Sequence, residues 1–198
     1  MKPGHALALA LGFVLLTLAG TGWLGYRVFE QGRQPAPLAP SAPPAGSIST
    51  QSLPPEQGQA ATDAIMALVL PDLDGRRQSI AQWRGKVLVV NYWASWCAPC
   101  LEEMPAFSRL QQRYAARGVQ FVGIGIDEPE RLQAFARKTP VGYPLLVGEA
   151  AGTQTAALQV RGLPYTVVID HHGRFAMSRL GRLDEQTLEP VLDRLTAN

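Results

Sequence analysis

The stretch WCAPC, residues 96–100, constrains this chain more than any other, because it holds both of its cysteines, two residues apart. Three uses of such a pair compete. As a structural staple, a bridge closing only four residues removes little unfolded-chain entropy, on the order of 2 kcal/mol. As a structural zinc site it lacks partners, since such sites take four Cys or His ligands. The remaining candidates, His171 and His172, are adjacent in a turn-like HHG, where histidines are ordinarily solvated. The redox use explains more of the surroundings. KVLVVNYW, residues 86–93, is a near-continuous β-branched and aromatic run, as expected of a central strand buried on both faces. It delivers Cys97 to the start of a helix, where unpaired N–H groups and the macrodipole favour a thiolate. Cys97 is then the attacking nucleophile. Cys100, inside the first turn, faces the same side, close enough for a disulfide but shielded by the helix body. Pro99 lacks an N–H, costs nothing in a first turn and stiffens the link between the sulfurs. Exchange proceeds by attack of Cys97 on a substrate disulfide and release of the mixed disulfide by Cys100.

The rest of the chain divides by composition. Residues 6–26, ALALALGFVLLTLAGTGWLGY, carry no charge and reach the length a helix needs to cross a hydrocarbon layer. The apolar residues continue past the imperfect cleavage-site matches near Ala19, so residues 1–30 read as an uncleaved signal-anchor transmembrane helix; a cleaved signal peptide is the alternative. Trp23 and Tyr26 stand where an interfacial aromatic belt would lie, ahead of Arg27. Residues 31–60 are a Pro/Ala/Ser-rich linker whose composition cannot build a core. Its charge-free part, residues 34–55, extended at about 3 Å per residue, would hold the following domain up to roughly 60 to 80 Å from a bilayer. Residues 61–198 are then the globular domain. A chain of 198 residues, 46% hydrophobic and 17% charged, has room for one such core. The net charge of +2, without a block of like charges, gives a nucleic-acid binder little to work with.

Within the domain, MALVL at 66–70 reads as a short strand and PDLDG as a turn. After the cysteine helix, whose stop signal is Gly118, come a buried strand VQFVGIGID, a helix PERLQAFARK, a strand YPLLV and a helix AGTQTAALQV. YTVVID, HHG and RFAMSRL form a β-hairpin, and Asp184 caps a last helix striped by Leu188, Val191, Leu192 and Leu195. The fold class is α/β, a central mixed sheet flanked by helices.

WCAPC after a buried strand, with LEEMP behind it, resembles the thioredoxin-like thiol-disulfide oxidoreductases, and within them the membrane-anchored TlpA/ResA/CcmG (DsbE) group. The likeness covers residues 64–195 and includes the LPDLDG turn, the block RGKVLVVNYWASWCAPC, the GIGID strand end and GLPYTVVIDHHGR. It implies a thioredoxin-like fold with an N-terminal strand extension and a central insert of one helix and one strand, for which residues 120–147 have room. It implies Cys97 and Cys100 as attacking and resolving cysteines. Glu103 matches the group's buried glutamate, which could relay the proton Cys100 must lose before it attacks. Pro164 matches a proline that in the group is cis and faces the disulfide, with the backbone beside it, at Leu163, pairing with substrate. Trp96 is expected beside Cys97 as an apolar platform for partners, Trp93 in the core, and Glu102 towards solvent.

The resemblance further implies a reductase of protein disulfides, in apocytochrome c or copper-site proteins, recharged by a membrane thiol donor of the DsbD/CcdA type. It implies a domain on the periplasmic side of the cytoplasmic membrane, and no cofactor or metal besides the redox-active disulfide. A Cu(I)-binding metallochaperone-like module using both thiolates is the competing class. Two motifs lead nowhere. Gly123-Ile124-Gly125 has Glu128 where the third glycine of a dinucleotide fingerprint belongs. A peroxiredoxin carries Thr or Ser three residues before its reactive cysteine, and that position here is Ala94.

Overall fold

In a computed structural model of the chain, residues 53–148, 160 and 162–197 are described. Strand β3 (Val87–Trp93) is buried at every position, the outcome expected of its apolar run. It pairs in parallel with β4 (Val119–Gly125), which pairs in parallel with β5 (Leu145–Val147). On its other side β3 pairs antiparallel with β6 (Tyr165–Ile169), and β6 with β7 (Phe175–Leu180). The five-stranded mixed sheet therefore has the order β5-β4-β3-β6-β7.

Helices cover both faces, and the two-residue period of β3 sorts its side chains between them. Val87, Val89 and Trp93 join the core under α2 (Ala98–Tyr114) and α4 (Glu185–Thr196), with Phe107, Leu110, Leu188 and Leu192. Leu88, Val90 and Tyr92 join the opposite core under α1 (Pro55–Met66), with Ile65, Val122 and Val167. Asn91, between Val89 and Trp93, is thereby turned towards α2. The Asp184 carboxylate caps α4 by accepting from the Thr187 N–H at 2.8 Å, as read from the sequence. Along the outer edge of the α2–α4 contact, Arg109, Arg113 and Arg117 meet Glu185, Glu189 and Asp193.

Several expectations shift. Met66, read as the start of a strand, ends α1 instead, and strand β1 covers Val69–Pro71. Helix α1 begins inside the stretch 31–60 and straddles its boundary with 61–198. Gln59 accepts from the Phe175 N–H at 3.1 Å and Leu53 N–H donates to Ser178 Oγ at 3.0 Å, so the folded unit reaches back to Leu53. The N-terminal strand extension does not join the central sheet. Strand β1 pairs with β2 (Arg77–Ser79) in a separate hairpin; Leu70 packs in the core with Leu146, and among the described residues the backbone link to the sheet is the bridge from Asp72 to Leu146. The central insert is present as α3 (Pro129–Lys138) and β5. Among the described residues no helix is long and apolar enough to cross a membrane; the apolar run 6–26, and all but one residue of the helix expected over 151–160, lie outside them.

The two hairpins share one device. Asp72 accepts from the Asp74 and Arg76 N–H groups, and Asp170 accepts from those of His172 and Arg174. In each, a glycine at φ near +80°, Gly75 or Gly173, completes a D-x-x-G-R turn that a residue with a Cβ would strain. His171 and His172 are the exposed tip of that second turn.

Candidate active site

Cys97 is the N-cap residue of α2, in extended conformation, and Pro99 lies in the first turn. Its carbonyl accepts from the N–H groups of Cys100 (3.0 Å) and Leu101 (3.2 Å), which starts the helix. Cys97 and Cys100 are joined as a disulfide with their Cα atoms 5.3 Å apart. Cys97 is 5% exposed and Cys100 fully buried, so an incoming group meets Cys97 first. Next to it Trp96 stands 66% exposed, with its ring open to an approaching partner, while Trp93 is fully buried against Phe135.

The loop before Cys97 is tied to the end of β4. The parallel register puts Trp93 opposite Gly125, which brings Ser95 to Asp127. Asp127 is buried; its Oδ2 accepts from Ser95 Oγ and, at 3.3 Å, from the Ser95 N–H. The sequence reading missed this pair, although two parallel strands ending together with Ser and Asp just beyond them were a usable signal.

Glu103 lies one turn beyond Cys100 and is 2% exposed. Its Oε1 accepts from Asn91 Nδ2 at 2.7 Å and its Oε2 from the Leu183 N–H at 2.9 Å. Asn91 also donates to Thr166 Oγ1, its partner in the β3–β6 register, at 3.2 Å. Burial raises the Glu103 carboxyl to about 7; the donors Leu183 and Asn91 and the charges of Arg182 and Arg179 pull against it. The carboxyl is thus poised to gain and lose a proton near neutrality. Glu102, on the neighbouring face, is exposed and pairs with Arg182 at 2.8 Å.

Pro164 follows a cis Leu163–Pro164 bond and is buried. Because Tyr165 pairs with Tyr92, Pro164 falls level with Trp93, at the sheet edge from which the chain enters the cysteine loop. Leu163 is half-buried and packs on the core that includes both cysteines. Cys97, Cys100 and Glu103 therefore share the start of α2, with Trp96 beside them and Leu163-Pro164 at the same end of the sheet. Asn91, Thr166 and the Leu183 N–H complete the setting of Glu103. Among the described residues no group of His, Cys, Asp or Glu is arranged to hold a metal ion.

The family model described as "AhpC/TSA family" matches residues 58–177, more than half of the chain. The chain belongs to the AhpC/TSA family. It is 29% identical over 126 residues to the thiol-disulfide oxidoreductase ResA of Halalkalibacterium halodurans, spanning 63% of this chain and 71% of that one. To the ResA of Geobacillus thermodenitrificans it is 25% identical over 196 residues, spanning 98% and 99% of the two chains. A solved structure from Chlorobium tepidum, described as a thiol:disulfide interchange protein DsbE, aligns with a TM-score of 0.62 at 25% identity, covering 66% of this chain and 93% of that one. This AhpC/TSA-family protein has the thioredoxin-like fold and is a thiol-disulfide oxidoreductase of the ResA/DsbE type.

Proposed function

We propose that the protein is a membrane-tethered, extracytoplasmic reductase of disulfides in partner proteins. The observation that carries the reading is a disulfide between Cys97, 5% exposed and the more accessible of the pair, and Cys100, fully buried one helical turn from a carboxyl raised to about 7. Reduced Cys97 attacks a substrate disulfide as a thiolate; one S–S bond breaks, another forms to Cys97, and the first substrate sulfur leaves. Cys100 then gives its proton to Glu103 and attacks the Cys97 sulfur. The Cys97–Cys100 bond forms, the mixed disulfide breaks, and the substrate, each leaving sulfur taking a proton from water, departs as a dithiol. Trp96 supplies an apolar platform for the partner, and the backbone at Leu163, before Pro164, pairs with the substrate chain.

The spent disulfide must be reduced by another dithiol, for which a membrane thiol donor of the DsbD/CcdA type is the fitting class. The apolar segment at 1–30 supports tethering, the linker a domain held away from the bilayer, and the ResA relative that spans 98% of this chain supports a common plan. Apocytochrome c and copper-site proteins are the proposed substrate classes.

Three measurements test this. Cys97→Ser is expected to abolish reduction of insulin disulfides by the purified protein; a wild type with no exchange activity but tight Cu(I) binding overturns the residue roles. Alkylation trapping in intact cells is expected to find the pair mainly reduced, and mainly oxidised when the electron donor is removed. A pair mainly oxidised in the unperturbed cell marks an oxidase instead. The full chain is expected in the membrane fraction, and a chain starting at Leu53 in the soluble one with its exchange activity kept.

A further inference from the structure

A buried proton acceptor works repeatedly only if each proton it takes is returned to water. For Glu103 the face carrying Cys97 and Trp96 cannot serve while a partner protein covers it. The structure offers another way out. Glu103 forms part of the wall of a surface groove of about 410 Å³, between α2 and the segment joining β7 to α4. Its lining runs down α2 from Glu102 past Ala106 to Arg109, away from the helix start that bears the disulfide, and Leu183 forms the facing wall. The exposed Glu102–Arg182 ion pair closes over the rim at 2.8 Å. We propose that this groove is the route by which Glu103 exchanges its proton with solvent, and that Arg182 is a positioning residue that favours the carboxylate at its inner end.

The proposal rests on the reading of Glu103 as proton acceptor for Cys100. The charged groups around the carboxyl fit an exit for protons. Arg179 of β7 and Arg182 of the connecting segment both favour the carboxylate. Arg179 Nε also donates to the Arg182 carbonyl at 3.1 Å, which braces that wall. Of the other carboxylates in the groove, Glu102 is paired with Arg182, Glu185 is paired with Arg109 and Arg113, and Asp184, which caps α4, lies in the field of Arg179 and Arg182, so each has a positive partner. Tyr143, before β5, also feels the Glu103 charge, but burial keeps it a neutral phenol.

In the resolving step the Cys100 S–H bond breaks and a Glu103 O–H bond forms. That O–H bond then breaks, its electron pair stays on the carboxylate, and the proton passes to water or a buffer base in the groove. The only oxidant is the substrate disulfide.

The test uses the reduced full chain in detergent and dithiobis(nitrobenzoate), whose first thiolate reports attack by Cys97 and whose second reports resolution by Cys100. In Ala106→Leu a larger side chain occupies the groove. Resolution is expected to slow several-fold and to lose its acceleration by added imidazole, while formation of the mixed disulfide proceeds at the wild-type rate. Arg182→Met, on the surface, is expected to move the pH profile of resolution to higher pH and to slow it roughly threefold on its acid limb; Arg182→Lys restores the profile. The wild-type formation step certifies that each variant is folded. If Glu103→Gln slows resolution while both groove variants match the wild type in rate, imidazole dependence and pH profile, the route is overturned and the acceptor role stands. If Glu103→Gln leaves resolution unchanged, the acceptor role falls and the route with it.

Discussion

Asn91 interrupts the strand VLVVNYW with an amide at a fully buried position, and an amide there needs partners. It donates to Glu103 and Thr166, and through them joins β3, α2 and β6 at one polar point. The folded-state pKa of Glu103, about 7, lies above its ordinary 4.5. The folded protein therefore binds more protons than the unfolded chain between those values. The resulting stabilisation is complete below about pH 4.5 and is lost as pH rises through 7, amounting to about 3 kcal/mol across the window. Glu103→Gln is expected to flatten that slope, which urea unfolding at a series of pH values measures. The same variant is expected to slow Cys100 resolution more than Cys97 attack in stopped-flow exchange; equal slowing of both counts against a proton-transfer role. Cys97, Cys100, Trp96 and Glu103 were all legible as residues of interest. The Leu183 N–H was not, because a backbone donor eighty residues away leaves no mark in the sequence.

Helix α1 shows where local reading gives way. Its buried residues, Gly58, Ala61, Thr62 and Ile65, are mostly small and make no apolar stripe that would separate it from the Pro- and Ala-rich stretch before it. Packing on β7 reveals it as a helix of the domain. A Cβ on Gly58 would stand 2.3 Å from the Phe175 ring, so the glycine lets helix and strand approach. Gly58→Ala is expected to destabilise the domain by about 1–3 kcal/mol, more than the gain in helix propensity returns, and thermal unfolding reads the shift. Elements with local signals of their own are legible: β3 through its apolar run, α4 through Asp184 and its leucines, the hairpin turns through Asp and Gly. The β1–β2 pairing was not, since three-residue strands carry too little pattern to say which sheet they join.

For the molecule as a whole, the disulfide contributes less to stability than its central position suggests. It closes a loop of four residues, so reduction is expected to cost no more than about 2 kcal/mol in denaturant unfolding with and without dithiothreitol. The reduced domain then stays folded, as an enzyme that cycles between both forms requires. A loss of cooperative unfolding on reduction would make the bond a staple. By itself the sequence determined the redox pair, the strand that delivers it, the helix that opens on Cys97 and the α/β plan. Each of these follows from backbone chemistry and periodicity within a few neighbouring residues. Tertiary structure alone decided the setting of Glu103, the docking of α1, the tie from Ser95 to Asp127 and the groove beneath Arg182. Desolvation and hydrogen bonding at those places come from segments that only packing brings together.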